Sequence, residues 1–469
     1  MTISGTTTGL REPRGRRFAP PLAISVKTRR WPPPQVGTLL VAMILPWAFS
    51  IGSLALSAYR VVLLALIVPT AVYWLAGRAG KIRAVDILLC LFCIWSTVAV
   101  AVVHGADQAL QPSGILIIET LGPYLVARCF IRSAEDFRAM VRLLAVLVVA
   151  MLPLALAEAV TGQRLILHLF RMLLPTIADG SAAPRWGLTR VQGPFEHPIL
   201  FGVFCGSATA MTYLVLGQGV GLFRRWAMTA AVVATGLLSL SSGPIVAILA
   251  QLGLLAWNDV LGRVKARWRI LWVLAIAVYV VLDIASNQPV FQLLTRYAFD
   301  PWTAYYRLLI FQFGWASVMA HPLFGTGFNE WLHPAWMTSS IDMFWIVPAV
   351  RYGLPAALLF MLAFLLAVAG VAFRSGRTPE ASLCCTAYLI TMTGFFLVGW
   401  TVHFWMATYV LFMFLLGSGM WLLEPAPAAA AEGEPVRAGR APAVRRPVPQ
   451  RRRIPGPAVR VARLTRKGI

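Results

Sequence analysis

The residues with the clearest chemical potential lie in the stretch LTRVQGPFEHPILFG, residues 188–202. Arg190, Glu196 and His197 fall close together there, directly before a long apolar segment. A guanidinium binds phosphate through a planar fork of donors, and a carboxylate or an imidazole can act as a general base. His197 precedes Pro198, so it either caps the helix that starts there or takes part in catalysis. The stretch predicts an anion site beside an acid/base pair at a membrane edge.

The predicted outer loop 161–194, which includes the start of this stretch, is rich in arginine. Only Asp179 and the nearby Glu196 oppose its positive charges. Its four arginines are Arg164, Arg171, Arg185 and Arg190. An excess of arginine outside a membrane runs against the usual distribution of charge, so these residues are expected to have a purpose that outweighs it. A lipid diphosphate fits such a cluster. The alternative is a loop that only meets acidic lipid headgroups.

A second outer segment, 286–341, carries further polar residues among aromatic ones. Residues 302–320 show an aromatic and aliphatic stripe, which predicts a helix along the membrane interface. Arg351 is expected at the outer end of a span, where it is costly in lipid unless it faces a cavity. Arg60, near the outer end of another span, can equally extend its side chain to the interface. The polar set comprises Arg296, Asp300, Arg307, His321, Asn329, Glu330, His333 and Asp342.

These residues must be positioned by membrane helices. The chain of 469 residues is 59% hydrophobic and 13% charged, with a mean hydropathy of +0.73. This composition excludes a water-soluble core and predicts an all-α, polytopic membrane bundle. The run 227–257 is too long for one span, and SLSSGP predicts that it divides into two helices meeting at Ser239–Pro244. With these two, about twelve spans are expected. The others lie near 36–56, 58–77, 85–103, 114–131, 139–160, 195–217, 270–285, 342–372, 382–400 and 404–423.

Basic segments next to the spans predict the orientation of the bundle. Lysine and arginine in short segments stay cytoplasmic, and with about twelve spans the basic segments share one face. Both termini are therefore expected in the cytoplasm. Residues 36–423 form the membrane domain, with external loops at 161–194 and 286–341. The first apolar run lacks a clean cleavage site and is expected to remain as an anchor.

The net charge of +23 is concentrated in the two ends of the chain. Residues 1–35 and 424–469 are basic and poor in large apolar side chains, which predicts disordered cytoplasmic tails that meet anionic lipids. A nucleic-acid partner is not expected from this distribution. Nucleotide-binding motifs and paired metal-ligand spacings are missing from the sequence, so no cofactor and no metal are expected.

Four motifs in order resemble the O-antigen polymerase and ligase superfamily, in particular repeat-unit polymerases of the succinoglycan type. They are R-x-x-G-P-x-x-H-P at 190–198, L-S-x-S-S-G at 238–243, Y-R-x-x-x-x-x-x-G-W with H-P-L-F-G-T-G-F at 306–328, and S-x-D-x-F-W with R-Y-G-L-P at 340–355. The resemblance covers residues 36–423 and excludes both tails. One departure is Ser242, which stands where many members carry an arginine in a Ser-Arg-Gly turn. Arg307 or Arg351 is the candidate to replace that contact.

The resemblance implies a bacterial inner-membrane glycosyltransferase with its active site on the periplasmic side. Such an enzyme moves a growing glycan from undecaprenyl diphosphate to a hydroxyl of an incoming lipid-linked unit, without a metal. Glu196, His197 and Asp342 are the expected acid/base residues. The expected diphosphate-binding residues are Arg190, Arg307, Arg351 and Arg185. A flippase and a chain-length regulator are the partners that such an enzyme implies.

Two other functions remain open from the sequence. A ligase or oligosaccharyl transferase would move a finished glycan to another acceptor, and ligases of the superfamily tend to carry a histidine shortly before the late glycine-rich helix. Asp342 stands in that place and favours a polymerase, although His333 is a candidate for a shifted ligase histidine. A lipid-linked oligosaccharide transporter would need charged residues at mid-membrane depth along several helices.

Overall fold

The computed structural model describes residues 31–52, 54–285 and 301–424, and it is mostly helical. Both predicted tails lie largely outside these residues, as do Arg296 and Asp300. We number the helices α1 to α16 along the described chain. They are Pro34–Met43, Ala58–Leu75, Ala84–His104, Ala106–Phe130, Ala134–Thr161, Leu165–Arg171, Pro198–Gly206, Thr209–Met211, Leu222–Leu237, Ser242–Val260, Arg267–Ala285, Pro301–Ala320, Val347–Tyr352, Leu354–Phe373, Pro379–Gly399 and Met406–Ser418.

Nine helical segments within the described ranges are long and apolar enough to cross a membrane. The chain is therefore a multi-pass helical membrane protein, while the predicted count of twelve spans is not confirmed. One reason is α9, Leu222–Leu237, which has only 16 residues. Another is the run 36–56, for which the prediction of one continuous helix is wrong.

That first run breaks after ten residues. Helix α1 ends at Met43, and an antiparallel hairpin of β1 (Ala48–Ile51) and β2 (Leu54–Ser57) follows. Pro46 cannot continue a helix, and Gly52 supplies the positive φ of +61° at the hairpin turn. The Trp47 backbone forms an isolated bridge with Thr176, so the hairpin start is tied to the 172–197 loop.

The prediction of two helices within 227–257 is confirmed. Helix α9 ends at Leu237 and α10 begins at Ser242, with Leu240 at a φ of +46° between them. The turn packs tightly, because a Cβ on Gly243 would come within 2.8 Å of the Val402 methyl group. The 239–243 turn therefore lies against the 400–405 turn that connects α15, Pro379–Gly399, to α16, Met406–Ser418.

The late glycine-rich segment is also divided. Its predicted span, 342–372, consists of the short helix α13, Val347–Tyr352, and the long helix α14, Leu354–Phe373. Gly353 separates them at a φ of +86°, and a Cβ there would lie 2.0 Å from the Leu323 carbonyl oxygen. The glycine thus lets the 321–328 turn pack directly on this helix junction, which positions Arg351.

Candidate functional site

The segment 188–197 is held in place by a buried carboxylate at the end of α5. Glu158 has no exposed surface and accepts hydrogen bonds from the backbone N–H of Gln192 at 2.7 Å and of Gly193 at 3.3 Å. Arg164 forms an ion pair with the same carboxylate at 2.6 Å and donates to the Arg190 carbonyl oxygen at 3.0 Å. Burial makes these contacts strong, because water cannot compete for them. They fix the loop from which the candidate residues project.

Two of the four loop arginines have carboxylate partners within the protein, so their presence does not require a ligand. Arg164 forms an ion pair with the buried carboxylate of Glu158. Arg171 is exposed and pairs with Asp179 at 2.8 Å. The hypothesis that all four arginines form one phosphate-binding cluster therefore narrows to Arg185 and Arg190.

Arg190 and Arg185 both reach the 239–241 turn. Arg190 Nη2 donates to Ser241 Oγ at 2.8 Å, and Arg185 Nη1 donates to the Leu240 carbonyl oxygen at 3.0 Å. Burial and the neighbouring Arg185 cation lower the pKa of Arg190 to about 10. No carboxylate within the described residues forms a salt bridge with Arg190. An anion bound here would stabilise the charged form of Arg190, against its burial and against the repulsion from Arg185.

Glu196 presents a carboxyl group with an unusual environment. Burial raises its pKa to about 7, the Glu119 carboxylate acts in the same direction, and the Arg60 cation opposes them. Its Oε2 atom is buried and has no hydrogen-bond partner among the described residues. A carboxyl group that titrates near neutrality can accept a proton at physiological pH, which is the property a general base needs.

His197 adopts the capping arrangement that the sequence left open. Its Nδ1 atom accepts from the Ile199 N–H at 3.2 Å, with Pro198 at the first position of the helix. Burial and Arg190 lower the pKa of the ring, whereas Asp342 raises it. The neutral ring therefore carries its proton on Nε2 and is a donor on that side. Because Asp342 and Arg190 both act on this ring, the structure brings all three residues into one region.

Arg307 joins the same region from α12, Pro301–Ala320. Its Nε donates to the Thr401 carbonyl oxygen at 2.7 Å. Thr401 lies in the 400–405 turn, whose side chains pack against Gly243. Asp342 is half-buried and accepts from Ser340 Oγ at 2.7 Å. The His333 ring contacts a different residue: its Nε2 atom lies 3.3 Å from the carboxylate of the exposed Glu330.

A cavity of about 290 Å³ lies beside these residues. Arg351, Arg60 and Glu119 supply its charges, and most of the remaining wall is aromatic or aliphatic. Trp405 lines this cavity and stands 6.4 Å from the His197 ring, centroid to centroid. Apolar walls with a few convergent polar groups are typical of small-molecule sites.

A second cavity of about 460 Å³ shares Arg60, Ile115 and Glu119 with the first. Its other lining residues include the exposed apolar side chains of Leu64 and Leu110. The shared ion pair is buried, with Arg60 Nε 2.8 Å from Glu119 Oε1. Of the two possibilities that the sequence left open for Arg60, the structure favours pairing inside the bundle. Its guanidinium turns inward and also donates to the Ala55 carbonyl oxygen at 2.8 Å.

The sequence analysis did not identify Glu119 or His403 as functional candidates. Glu119 lies within an apolar span, and an ionisable residue at such a position is a signal of function or pairing that the sequence does contain. His403 lies in the 400–405 turn and lines the 290 Å³ cavity. Burial and Arg351 lower the pKa of its ring to about 3, so it stays neutral at physiological pH.

The region combines the neighbouring guanidinium groups of Arg185 and Arg190, a neutral imidazole donor and a carboxyl group with a near-neutral pKa. Within the described residues, no group of three or more histidine, cysteine or acidic side chains is placed to hold a metal ion. No protein-family model matches the chain, and no curated protein matches it.

Proposed function

We propose that the protein is a polysaccharide repeat-unit polymerase of the O-antigen polymerase and ligase superfamily. It would transfer a growing glycan from undecaprenyl diphosphate to a hydroxyl group of an incoming lipid-linked repeat unit. In this proposal the nine candidate spans belong to a bundle of about twelve, both termini are cytoplasmic, and the site faces the periplasm. The motif order in the sequence supports the family, and the geometry of the 188–197 segment supports the chemistry.

One observation carries the proposal: Arg190, a buried cation without a carboxylate partner in the described chain, lies in the same short segment as the titratable Glu196. Transfer from a lipid diphosphate increases the negative charge on the leaving group. Guanidinium groups already in position stabilise that charge without donating a proton. Arg190 and Arg185 would make the main contacts with the diphosphate. Arg307 and Arg351 would contribute further positive charge around it.

Glu196 is the preferred general base for the acceptor. The Glu196 carboxylate would take the proton of the acceptor hydroxyl as the new glycosidic bond forms and the bond to the diphosphate breaks. The His197 Nε2–H would donate a hydrogen bond to a substrate oxygen, and Asp342 would hold that ring by its charge. The diphosphate leaves as an anion, so no general acid is needed on that side.

The two neighbouring cavities suit a substrate with a glycan and a lipid. The aromatic cavity of about 290 Å³ would take sugar residues. The second cavity, about 460 Å³, has the exposed apolar side chains that a polyprenyl tail would contact. The Arg60–Glu119 pair lies between them, at the position where lipid and glycan would meet.

A lipid-linked glycan transporter is the second candidate. The observation that favours it is the Arg60–Glu119 pair itself, because both charges lie within candidate spans and line both cavities. A transporter would need no titratable base, so Glu196 distinguishes the two functions.

The test is gene deletion with complementation at matched membrane levels by the wild type, Arg190→Ala, Glu196→Gln or Arg171→Ala. Arg171 is the matched control, since it is an exposed arginine of the same loop. We expect single lipid-linked units to accumulate without polymer in the deletion strain and in the strains complemented with Arg190→Ala or Glu196→Gln. Arg171→Ala should restore polymer. Long polymer that is left unattached would indicate a ligase. Full polymer in both site variants would overturn the proposal.

Purified protein gives the direct test against the transporter. We expect the wild type to lengthen a lipid-linked oligosaccharide in detergent, where no membrane separates two compartments, and Glu196→Gln to fail. Movement of the lipid-linked unit across vesicles without any lengthening would favour the transporter.

A further inference from the structure

A third cavity lies far from the candidate site, at the other end of α5. It has a volume of about 840 Å³ and lies between α5, Ala134–Thr161, and α9, Leu222–Leu237. Arg138 and Arg142, which line it, precede the buried Glu158 by 20 and 16 residues on one helix. At about 1.5 Å per residue, the arginines lie roughly 25–30 Å from that carboxylate along the helix axis. The charged end of the cavity is therefore distant from the candidate site, and the cavity shares no lining residue with the other two cavities described above.

The charges of this cavity are all of one sign. Arg138, Arg142 and Arg224 line one end, and no acidic residue lines it within the described chain. Arg224 stands in the first turn of α9, where the helix dipole adds further positive potential. Arg138 also donates to the Gln218 side-chain oxygen, which lines the same end. Three guanidinium groups around one opening strongly favour an anion there.

The remainder of the cavity is mostly apolar, and four of its lining side chains are alanines. Ala145 and Ala150 on α5 face the cavity across from Ala227 and Ala231 on α9. These alanines leave room for a chain between two helices that would otherwise pack closely. From Arg142 to Ala150 the apolar strip extends about 12 Å along the helix. An anion-binding end that continues into an apolar groove matches an amphiphile.

A local irregularity lies in the same wall. Residues Thr212–Leu216 form a π-helical turn, and Thr212 and Leu216 line the cavity. Thr212 is 1% exposed, and its hydroxyl has no hydrogen-bond partner among the described residues. A π-helical turn in a membrane bundle widens the local helix, and such turns occur frequently at functional sites.

We propose that this cavity binds an anionic phospholipid of the surrounding membrane. The phosphate lies among Arg138, Arg142 and Arg224, and one acyl chain lies along the alanine-lined groove. Basic pockets between membrane helices are suited to such headgroups. An anionic lipid also complements the charge of this end, which the chain's own arginine-rich terminal sequences do not. The site is independent of the proposed transferase activity.

The test uses purified full-length protein in nanodiscs or detergent, with phosphatidylglycerol as the probe and phosphatidylcholine as the uncharged reference. The variants are Arg142→Gln/Arg224→Gln for the charged end and Ala150→Trp for the groove, because Ala150 is exposed and tolerates a larger side chain. The control is Arg263→Gln, an exposed arginine in the turn after α10 that does not line the cavity. Bound lipid is counted by native mass spectrometry, and thermal unfolding of each variant without lipid shows that it is folded.

We expect the wild type and Arg263→Gln to retain phosphatidylglycerol in preference to phosphatidylcholine. The double arginine variant should bind it roughly 30-fold more weakly, since two of three basic contacts are lost. Ala150→Trp should lose the bound lipid although every arginine remains. Equal retention of both lipids by the wild type would overturn the proposal, and so would unchanged retention by the folded double variant. Binding of free glycerol phosphate as tightly as the lipid would show an anion site without a chain groove, which also contradicts it.

Discussion

The Arg164–Glu158 ion pair offers the sharpest test of how the candidate site is built. Replacing Arg164 by alanine leaves the Glu158 carboxylate buried, with only the two backbone N–H groups of the 188–197 segment as donors. It also removes the hydrogen bonds that Arg164 donates to the carbonyl oxygens of Arg190 and Gly180, both at 3.0 Å. Removing one partner of a buried ion pair costs about 3–5 kcal/mol. We expect a loss of that size in the free energy of unfolding.

The same loop supplies the matched control. Arg171 pairs with Asp179 at 2.8 Å, nearly the 2.6 Å of the buried pair, but both partners are exposed by 40% or more. Solvent already screens that pair, so Arg171→Ala should leave the free energy of unfolding unchanged within error. Reversible unfolding of the purified variants in mixed detergent micelles provides the measurement.

A double variant distinguishes the cost of an unpaired buried charge from the cost of a distorted loop. In the double variant Glu158→Gln/Arg164→Met the buried charge is gone, and the glutamine oxygen can still accept from the two backbone N–H groups. We expect this variant to recover most of the stability that Arg164→Ala loses. Equal losses for Arg164→Ala and Arg171→Ala would refute the reasoning, as would a double variant no more stable than Arg164→Ala.

Three further predictions concern single positions. Transfer activity should rise with pH through about 7 and then level off, because the Glu196 carboxyl must lose its proton to act as a base; a pH profile of chain lengthening that stays flat for the wild type would contradict this. Arg190→Lys keeps the charge but loses the planar fork, so kcat/KM for the lipid-linked substrate should fall roughly 10- to 100-fold, against no change for Arg171→Lys. Gly353→Ala should destabilise the protein by at least about 1–3 kcal/mol from the backbone conformation alone, in addition to the clash with the Leu323 carbonyl oxygen. Gly253→Ala, where a Cβ meets nothing within 4 Å, should be neutral or stabilising, and similar melting temperatures for the two alanine variants would be inconsistent with the assigned φ of Gly353.

The sequence by itself determines the class of this protein. Apolar runs of membrane-spanning length indicate a helical bundle, because one such segment in lipid satisfies its own backbone polar groups by forming a helix. Local signals also place several boundaries, such as the break at Ser239–Pro244 and the helix start at His197 and Pro198. Hydropathy alone cannot show that Pro46 and Gly52 turn the first apolar run into a hairpin, since strand and helix residues there are equally apolar.

Only the tertiary structure decides which charges are paired and which remain for a ligand. Arg164 and Arg190 are the same residue type in the same predicted loop, and the sequence does not distinguish them. In the structure Arg164 forms an ion pair with the buried Glu158, whereas Arg190 donates a hydrogen bond to Ser241. The partner of Arg60 is 59 residues away at Glu119, and no local pattern links the two. Sequence specifies the types of side chain at each position. Their burial and their partners, which determine pKa and charge availability, depend on contacts between segments distant along the chain.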